Sequence, residues 1–388
     1  MKIGMLNRVD VMAVGSLSGT PHFMAKALAA QVGEVVSLGP DRSLLTRVIE
    51  RSGGAINRIG YPVFGRRVAP AHHRILSHRL AGIYKSRIKE SGCDVIYAPV
   101  ASVEIAYLET DIPIVYHTDM NWANAVNYYP NFSSLFDFAR IEGDRIDQAA
   151  IRQSAALIYP SEWAADTARD VYGVDAQKIH VLPYGANFEV SEIPVRELAL
   201  QHSVVDGVTL LWMGVGWIRK GGPIAYECLM ELLRRGVNAR LIICGCVPPA
   251  SFVHERVEVV PFLKKSDPEQ RNKLSQLFLN ASFFLFPTLA DATPIVLSEA
   301  SAHGLPSLVR DTGGVGGAIT EGKNGFLLPP EADGTLYASR IMELIADESV
   351  YQTLVRTSRD TYEEKLNWDA WGRAAKPIFE QVLRPGRS

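Results

Sequence analysis

The sequence predicts an α/β fold built from two doubly wound domains. Apolar segments with β character alternate with helical segments through residues 2–182, and the same alternation restarts at residue 208. Continuous apolar strands separated by helices are typical of parallel sheets covered on both faces. The chain has 388 residues, more than the ~250–300 at which a single hydrophobic core gives way to two domains.

Each half of the chain supplies six predicted strands. They are residues 2–6, 34–38, 94–98, 112–117, 156–159 and 179–182 in the first half, and 208–213, 240–244, 257–260, 283–286, 307–310 and 325–328 in the second. Predicted helices include 21–31, 136–153, 162–172, 223–235, 269–280 and 294–303. The polar stretch 188–207 lacks a strong period and separates the halves, and a helical tail follows from about residue 331.

Composition narrows the class of protein. The formal net charge is −2 at pH 7, which argues against a general nucleic-acid-binding protein. Four cysteines in a chain of this length are typical of a reduced compartment rather than of a disulfide framework. Residues 1–10 are too polar for a signal peptide, and no run of 18 apolar residues could cross a membrane. We therefore expect a cytoplasmic protein.

Positive charge is concentrated in residues 41–90. This segment holds 11 Lys and Arg residues against three acids, so the rest of the chain carries a formal charge of −10. One interpretation is a surface for an anionic partner, such as the inner face of a membrane or a phosphorylated acceptor. The other is a basic face that is solvated and binds nothing, and the sequence favours neither.

Two carboxylates follow the predicted strand at 283–286. A polar loop carries Asp291, and a helix opening near Pro294 carries Glu299, with seven residues between the two acids. Proline is favoured in a first helical turn because its missing N–H would have no partner there. Ligands of open α/β sheets bind at the carboxyl ends of the strands. Carboxylates accept strong hydrogen bonds from hydroxyl groups, so this segment suits sugar recognition.

A glycine-rich turn after the strand at 208–213 carries Arg219 and Lys220. Two cations beside a helix N-terminus suit a diphosphate, and the alternative is a solvated helix start. The turn is not a GxxxxGK[ST] phosphate loop, because Gly222 and Pro223 stand where Lys and Ser or Thr are needed. It is not a GxGxxG dinucleotide loop, because Arg219 replaces the third glycine.

Gly19, Thr20 and His117 complete the candidate positions. Gly19 and Thr20 precede the helix at 21–31, where backbone N–H groups could approach an anion and Thr20 could cap the helix. A plain helix cap is an equal alternative. His117 ends the strand at 112–117 on the ligand side of the sheet. The alternative for His117 is a core histidine bonded to the backbone.

Together these segments resemble the family 4 retaining glycosyltransferases, also called glycosyl transferases group 1. The matching pieces are SGTP, HTD, YPSEW, LPYGAN, RKGG, DATPIVLSEASAHGLPSLVRDTGG, NGFLLPP and a Trp-containing tail, in the order of the family and over nearly the whole chain. The resemblance implies the GT-B fold, in which two Rossmann-like domains face a central cleft. The domains would be residues 1–190 and 205–365, and a C-terminal helix within 366–388 would cross back to the N-terminal domain.

The resemblance also implies where the substrates bind. The C-terminal domain would hold a UDP- or GDP-linked sugar, and the N-terminal domain would hold a glycan, lipid-linked or small-molecule acceptor. Lys220, with Arg219 as helper, would bind the diphosphate, Glu299 the nucleotide ribose, and Asp291 would lie beside the donor sugar. His117 would sit near the reacting carbon. The resemblance implies three further contacts. The loop at Gly19 and Thr20 would approach the diphosphate, and Phe262 and Leu263 would contact the base. Sugar and phosphate would be contacted by the backbone of Thr293, Pro294, Ile295 and Val296.

The activity implied by the resemblance is that of a retaining hexosyltransferase that requires no cofactor and no metal. The chain departs from many members at two positions, with Asp291 in place of Glu and Val215 in place of Arg. Two other classes of function remain open on the same scaffold. One is a nucleotide-sugar epimerase or a phosphorylase, and the other is a non-catalytic nucleotide-sugar-binding protein.

Overall fold

The computed structural model describes residues 1–8, 10–11, 19–41 and 43–384, without the side chains of residues 44, 45, 47, 49 and 50. Ser18 of the SGTP segment and Arg42 of the basic segment therefore lie outside the described residues, as does the side chain of Arg47. The chain divides into two compact units. One comprises Met1–Leu182 with Trp371–Ser388, and the other comprises Pro183–Ala370.

The first unit contains a parallel six-stranded sheet. Its strands are β1 (Lys2–Met5), β2 (Glu34–Ser37), β3 (Val95–Pro99), β4 (Ile114–His117), β5 (Ala156–Tyr159) and β6 (Ile179–Val181). They lie in the order β2-β1-β3-β4-β5-β6, and all neighbouring pairs are parallel. The order reverses between β1 and β3, so the carboxyl ends of these two strands form the crevice in which such sheets bind ligands.

Helices connect these strands. They are α1 (Thr20–Gln31), α2 (Leu44–Phe64), α3 (Arg74–Ser91), α4 (Ser102–Ile105), α5 (Trp122–Ala125), α6 (Asp137–Gln153) and α7 (Glu162–Asp170). The core under the sheet combines strand residues such as Ile96 and Leu157 with helix residues such as Leu80 and Ile146, all without exposed surface.

The second unit repeats this architecture. Its strands are β7 (Val208–Met213), β8 (Ala239–Cys244), β9 (Val257–Val260), β10 (Phe283–Phe286), β11 (Ser307–Arg310) and β12 (Gly325–Leu328). They lie in the order β12-β11-β10-β7-β8-β9, again all parallel. Counted from β7, this is the doubly wound order 3-2-1-4-5-6. The order reverses between β7 and β10, the two strands that precede the loops of Lys220 and Asp291.

The helices of the second unit are α8 (Arg196–Ala199), α9 (Gly222–Arg234), α10 (Pro268–Leu279), α11 (Ile295–Ala302), α12 (Gly334–Ile345), α13 (Glu348–Glu364) and the start of α14 (Trp368–Val382). From Trp371 onward, α14 belongs to the first unit. Trp368 and Trp371, the two tryptophans of the predicted helical tail, are both buried. Within the described residues, no helix has the length and apolar character needed to span a bilayer.

The predicted fold class and all twelve strands are confirmed, with bounds that differ by no more than two residues. The sequence predictions include no helix in the basic segment, and here the structure adds α2 and α3. Gly54, Gly60 and Pro62 all lie within α2, although glycine and proline lower helix propensity. The helical conformation of this segment is therefore maintained against its local preference.

Gly221 brings the loop after β7 into contact with the loop after β10. Its φ is +71°, and a Cβ placed on it would lie 1.9 Å from the carbonyl oxygen of Pro287. The two loops also share hydrogen bonds, since Leu289 donates its N–H to the Arg219 carbonyl over 2.7 Å. Only glycine permits both the left-handed backbone and this close approach.

Gly221→Ala should destabilise the protein far more than Gly236→Ala. Gly236 has φ +81°, and a Cβ placed on it would have nothing within 4 Å, so alanine there should cost only the left-handed penalty of about 1–2 kcal/mol. At Gly221 the Pro287 backbone must also move, so the free energy of unfolding should fall by ~3 kcal/mol or more. Urea denaturation of both variants measures the two losses, and equal losses would show that the loop contact is unimportant.

Candidate active site

Lys220 and Asp291 form an ion pair at the point where the strand order of the second sheet reverses. Lys220 lies in the turn between β7 and α9, and Asp291 lies in the loop between β10 and α11. Only 15% of the lysine side chain and 13% of the aspartate side chain are exposed. The ammonium also lies 5.0 Å from the ring centroid of Phe286. The sequence-predicted cation and acid are therefore neighbours.

The pair is held by its surroundings. Burial lowers the pKa of Lys220, while the charge and hydrogen bond of Asp291 act in the opposite direction. The Lys220 carbonyl accepts a hydrogen bond from Trp212 Nε1 over 2.9 Å, and the Asp291 carbonyl accepts one from Gly314 N–H over 3.1 Å. Gly314 belongs to the glycine-rich segment 312–317, which thereby joins the site.

Arg219 reaches the same loop. Its guanidinium donates to the Ala290 carbonyl over 2.7 Å, next to Asp291 in the chain. Both sequence-predicted cations thus lie before the N-terminus of α9, whose backbone N–H groups favour anions. Val215 is exposed, in the position where an arginine is common in the family that the sequence resembles.

Thr293 adds a polar group to the loop. Its hydroxyl oxygen is buried and has no hydrogen-bond partner among the described residues. An unsatisfied buried hydroxyl costs free energy, so its retention calls for an explanation. Pro294 directly precedes α11 as its N-cap, and Ile295 and Val296 form its first turn.

Glu299 lies on α11, and its side chain is only 3% exposed. It forms an ion pair with Lys265, from the loop between β9 and α10. Two further bonds fix this helix, from Ser298 Oγ to the Tyr184 carbonyl over 2.8 Å and between His303 Nδ1 and the Glu299 carbonyl over 2.8 Å. The helix therefore presents Glu299 from a rigid support.

Lys265 is the site residue that the sequence predictions missed. The signal available was the pair Lys264-Lys265 soon after the strand at 257–260. In the same loop, Phe262 is 60% exposed, whereas Leu263 packs partly against the core of the unit. Of the two residues predicted to contact a base, Phe262 therefore has the accessible ring.

His117 ends β4 in the first unit, as predicted, and is completely buried. Its Nδ1 is hydrogen-bonded to the Tyr97 hydroxyl over 2.6 Å, and its ring stacks on Trp371 at 5.8 Å between centroids. The alternative of a core histidine is therefore confirmed in its burial, and its Nδ1 is bonded to the side chain of Tyr97. Burial lowers the pKa of His117 to about 3, so the imidazole is neutral at physiological pH.

Gly19 and Thr20 form the start of α1. The helix begins at Thr20, and Gly19 is the N-cap residue with φ +84°. The prediction that Thr20 caps the helix is wrong, because Thr20 lies one position inside it and the N-cap position belongs to Gly19, which has no side chain. The left-handed backbone at this position explains the need for glycine.

The structure thus brings together Arg219, Lys220, Asp291 and Thr293, and places Glu299 on the adjoining helix of the same unit. His117, Gly19 and Thr20 lie in the first unit. Among the described residues, no group of three or more His, Cys, Asp or Glu side chains could hold a metal ion.

Two family models match the chain. The model described as "Glycosyl transferases group 1" matches residues 207–347, and the model described as "Glycosyltransferase Family 4" matches residues 22–190. Among curated proteins, a D-inositol 3-phosphate glycosyltransferase from Jonesia denitrificans is 24% identical over 261 residues, which is 63% of this chain and 60% of that protein. The chain spans about three fifths of the length of the first curated relatives that it matches.

Solved structures share the fold. A sucrose-phosphate synthase from Thermosynechococcus elongatus superposes with a TM-score of 0.66 and 15% identity, over 98% of both chains. Anabaena HepE, determined in complex with UDP and glucose, superposes with a TM-score of 0.62 and 17% identity, over 99% of this chain and 100% of that one. Both units therefore have counterparts in proteins of the GT-B fold, and at these identities the likeness concerns the fold alone.

Replacing His117 with glutamine should flatten the acid side of the stability profile. The unfolded chain protonates this histidine near pH 6.5 and the folded protein only near pH 3. The stability that the neutral buried ring provides is therefore lost as pH falls below 6.5, at up to ~1.4 kcal/mol per pH unit. Urea denaturation of wild type and His117→Gln at several pH values measures the slopes. Parallel curves would contradict the assigned burial of the neutral ring.

Proposed function

The chain belongs to the group 1 glycosyltransferases, and we propose that it transfers a hexose from a nucleotide-diphosphate sugar, UDP- or GDP-linked, with retention of configuration. The observation that carries this proposal is the placement of Arg219, Lys220 and Asp291 where the second sheet reverses its strand order. Paired cations beside a helix N-terminus suit a diphosphate, and a carboxylate beside them suits sugar hydroxyls.

The chemistry assigned to these residues is electrostatic. The bond between the anomeric carbon and the diphosphate oxygen breaks, and an acceptor oxygen bonds to the same carbon. Lys220, Arg219 and the N–H groups at the start of α9 stabilise the negative charge that develops on the leaving diphosphate. The acceptor proton passes to a leaving phosphate oxygen, so Asp291 is assigned to sugar binding rather than to covalent attack.

The other proposed donor contacts are made by α11, by the loop before it and by the loop after β9. Glu299, whose side chain is almost fully buried on α11, would accept hydrogen bonds from the nucleotide ribose. The unpartnered Thr293 hydroxyl and the backbone of Pro294, Ile295 and Val296 would contact sugar and phosphate. The exposed Phe262 ring would pack on the base. The binding of UDP and glucose by the structurally similar HepE supports a donor of this class.

The first unit would bind the acceptor beside His117. A neutral His117, fixed by Tyr97, would bring no charge to the bound acceptor.

A panel of UDP-, GDP- and ADP-sugars should identify one stabilising donor, measured as a shift in melting temperature without acceptor. That donor should be hydrolysed slowly to free sugar. Lys220→Ala should reduce turnover by about 10²–10³-fold, the typical effect of removing one preorganised group that stabilises developing charge. Lys273→Ala, an exposed lysine on α10 of the same unit, is the matched control and should retain activity.

Near-normal turnover by Lys220→Ala would overturn the assignment of this lysine to the diphosphate. Conversion of the donor to an isomeric nucleotide sugar would point to an epimerase, and a strict need for inorganic phosphate would point to a phosphorylase. Donor binding without any turnover would identify a non-catalytic binding protein.

We also propose a peripheral contact between helix α2 and an anionic membrane. The helix exposes Ile56, Ile59, Val63 and Phe64, and Arg51 and Arg58 on the same helix are also exposed. Apolar side chains flanked by cations are the pattern of helices that lie in a membrane interface. Other basic residues of this segment have structural partners instead, since Arg87 binds the carbonyls of Leu38 and Pro40.

Co-sedimentation with vesicles should therefore increase with their content of anionic lipid and decrease with salt. Phe64→Ser, which removes an exposed apolar side chain, and Arg58→Glu should each weaken the association. Lys85→Glu, outside α2 and paired with Glu109, is the control for charge alone. Association that is indifferent to lipid charge and salt would exclude this contact.

A further inference from the structure

A cavity of about 170 Å³, called the polar cavity for the charged and polar side chains in its lining, lies at the carboxyl ends of β1, β3 and β4 of the first sheet, next to the reversal of strand order. Its lining includes Arg8, which follows β1, together with Ser102, Thr118 and Asp119. Thr118 and Asp119 directly follow His117 at the end of β4. The cavity thus occupies the position in which open α/β sheets bind ligands.

The charges of this cavity favour hydroxyl groups over a phosphate. Its cation, Arg8, is already bonded to the buried Glu104 over 3.1 Å. Two carboxyl groups, Asp119 and Asp147, also line it. Burial raises the pKa of Asp147 to about 7, which means that the surroundings of this carboxyl group disfavour negative charge. A phosphate bound there would add further negative charge to the same surroundings. Hydroxyl groups can both donate to these carboxyls and accept from Arg8.

An apolar cavity of about 370 Å³ lies beside the polar one, between α2, α3 and α6. Its lining includes Ile56 of α2, Ile75 of α3 and Phe138 and Ala139 of α6, and it falls within the size range of small-molecule pockets. Ile56 and Ile75 are 54% and 67% exposed, so the cavity opens at the apolar surface of the basic segment.

The walls of the apolar cavity are held in place. Asn57 of α2 bonds both the N–H and the carbonyl of Val68, over 2.7 and 2.9 Å. Glu142 of α6 accepts the backbone N–H of Arg74 at the start of α3 over 2.9 Å. A site that is preformed in this way loses less conformational entropy when it binds a ligand.

His72 lines both cavities. Its ring lies 4.7 Å from that of Trp122, which belongs to the lining of the polar cavity. Trp122 is itself fixed, because its backbone N–H donates to Asp147 over 2.7 Å and its Nε1 to the Arg140 carbonyl over 3.0 Å. The ring of His72 is therefore part of the wall of both cavities, with the polar side chains on one side and the apolar side chains on the other.

From this juxtaposition we propose that the acceptor is an amphiphile with a hydroxyl-rich head and an alkyl chain. The head binds in the polar cavity beside Thr118 and Asp119, and the chain binds in the apolar cavity against Ile56, Ile75 and Phe138. This inference rests on the proposed transferase function and assigns the acceptor class. The chain could enter from a bilayer contacted by α2, because Ile56 belongs to both the exposed face of that helix and the cavity rim.

The test is calorimetric titration with hexyl, octyl and decyl glucosides below their micellar concentrations, with no donor present. Each methylene buried should raise affinity about fourfold, so octyl glucoside should bind about 15-fold tighter than hexyl glucoside. Ile56→Arg and Ile75→Arg should remove most of this dependence on chain length. Both positions are exposed, so the substitutions should not prevent folding. Ile59→Arg, on the same helix but outside the cavity lining, should preserve it.

The head is tested separately from the chain. Asp119→Asn should weaken all three glucosides by the same factor and leave the dependence on chain length intact. The proposed binding of the alkyl chain in the apolar cavity would be wrong if the affinity of the wild type did not depend on chain length. It would also be wrong if Ile56→Arg and Ile59→Arg reduced the affinity equally. A failed titration with intact donor binding refutes only the acceptor class, whereas a normal titration without any donor binding refutes the transferase function.

Discussion

The contact between Lys220 and Asp291 depends on the approach of two loops, and the placement of Arg219 in the proposed donor site depends on the same approach. The second sheet reverses its strand order between β7 and β10, which makes these loops neighbours. Gly221 then lets the backbones meet at the Pro287 carbonyl. Because the loops are this close, a short aspartate reaches the lysine ammonium. The closeness of the backbones compensates for the methylene that glutamate would add.

The strands and their loops could be predicted because their signals are local. Apolar runs and the turns at Gly221 and Pro294 specify where each strand ends, and a parallel sheet then gathers those ends on one edge. The Lys265–Glu299 pair could not be predicted in this way. It joins the loop after β9 to α11, two segments that neither pair as strands nor follow each other in the chain. Contacts of this kind require the tertiary structure.

The basic segment shows a second limit of sequence-based prediction. Its surplus of positive charge is visible in the sequence. The helix α2, which carries part of that charge, could not be predicted, because Gly54, Gly60 and Pro62 lower the helix propensity of the segment. Once α2 is formed, the cations on this helix and those just after it separate into different roles. Arg58, on the helix, is exposed. Just after the helix, Arg66 donates to the Leu135 carbonyl, and Arg67 stacks over the Tyr61 ring at 4.0 Å. A count of charges could not distinguish these roles.

The same topological rule positions a polar site in each unit, but the surrounding charge differs. In the second unit, Lys220 is also paired, with Asp291, but Arg219 adds a second cation before a helix N-terminus, an arrangement that favours an anion. In the first unit, Arg8 is neutralised by Glu104, and carboxyl groups line the remaining space. A diphosphate is therefore favoured in one crevice and a neutral polyol in the other. This separation of charge matches the needs of a transferase, because the leaving group is anionic and the attacking group is a hydroxyl.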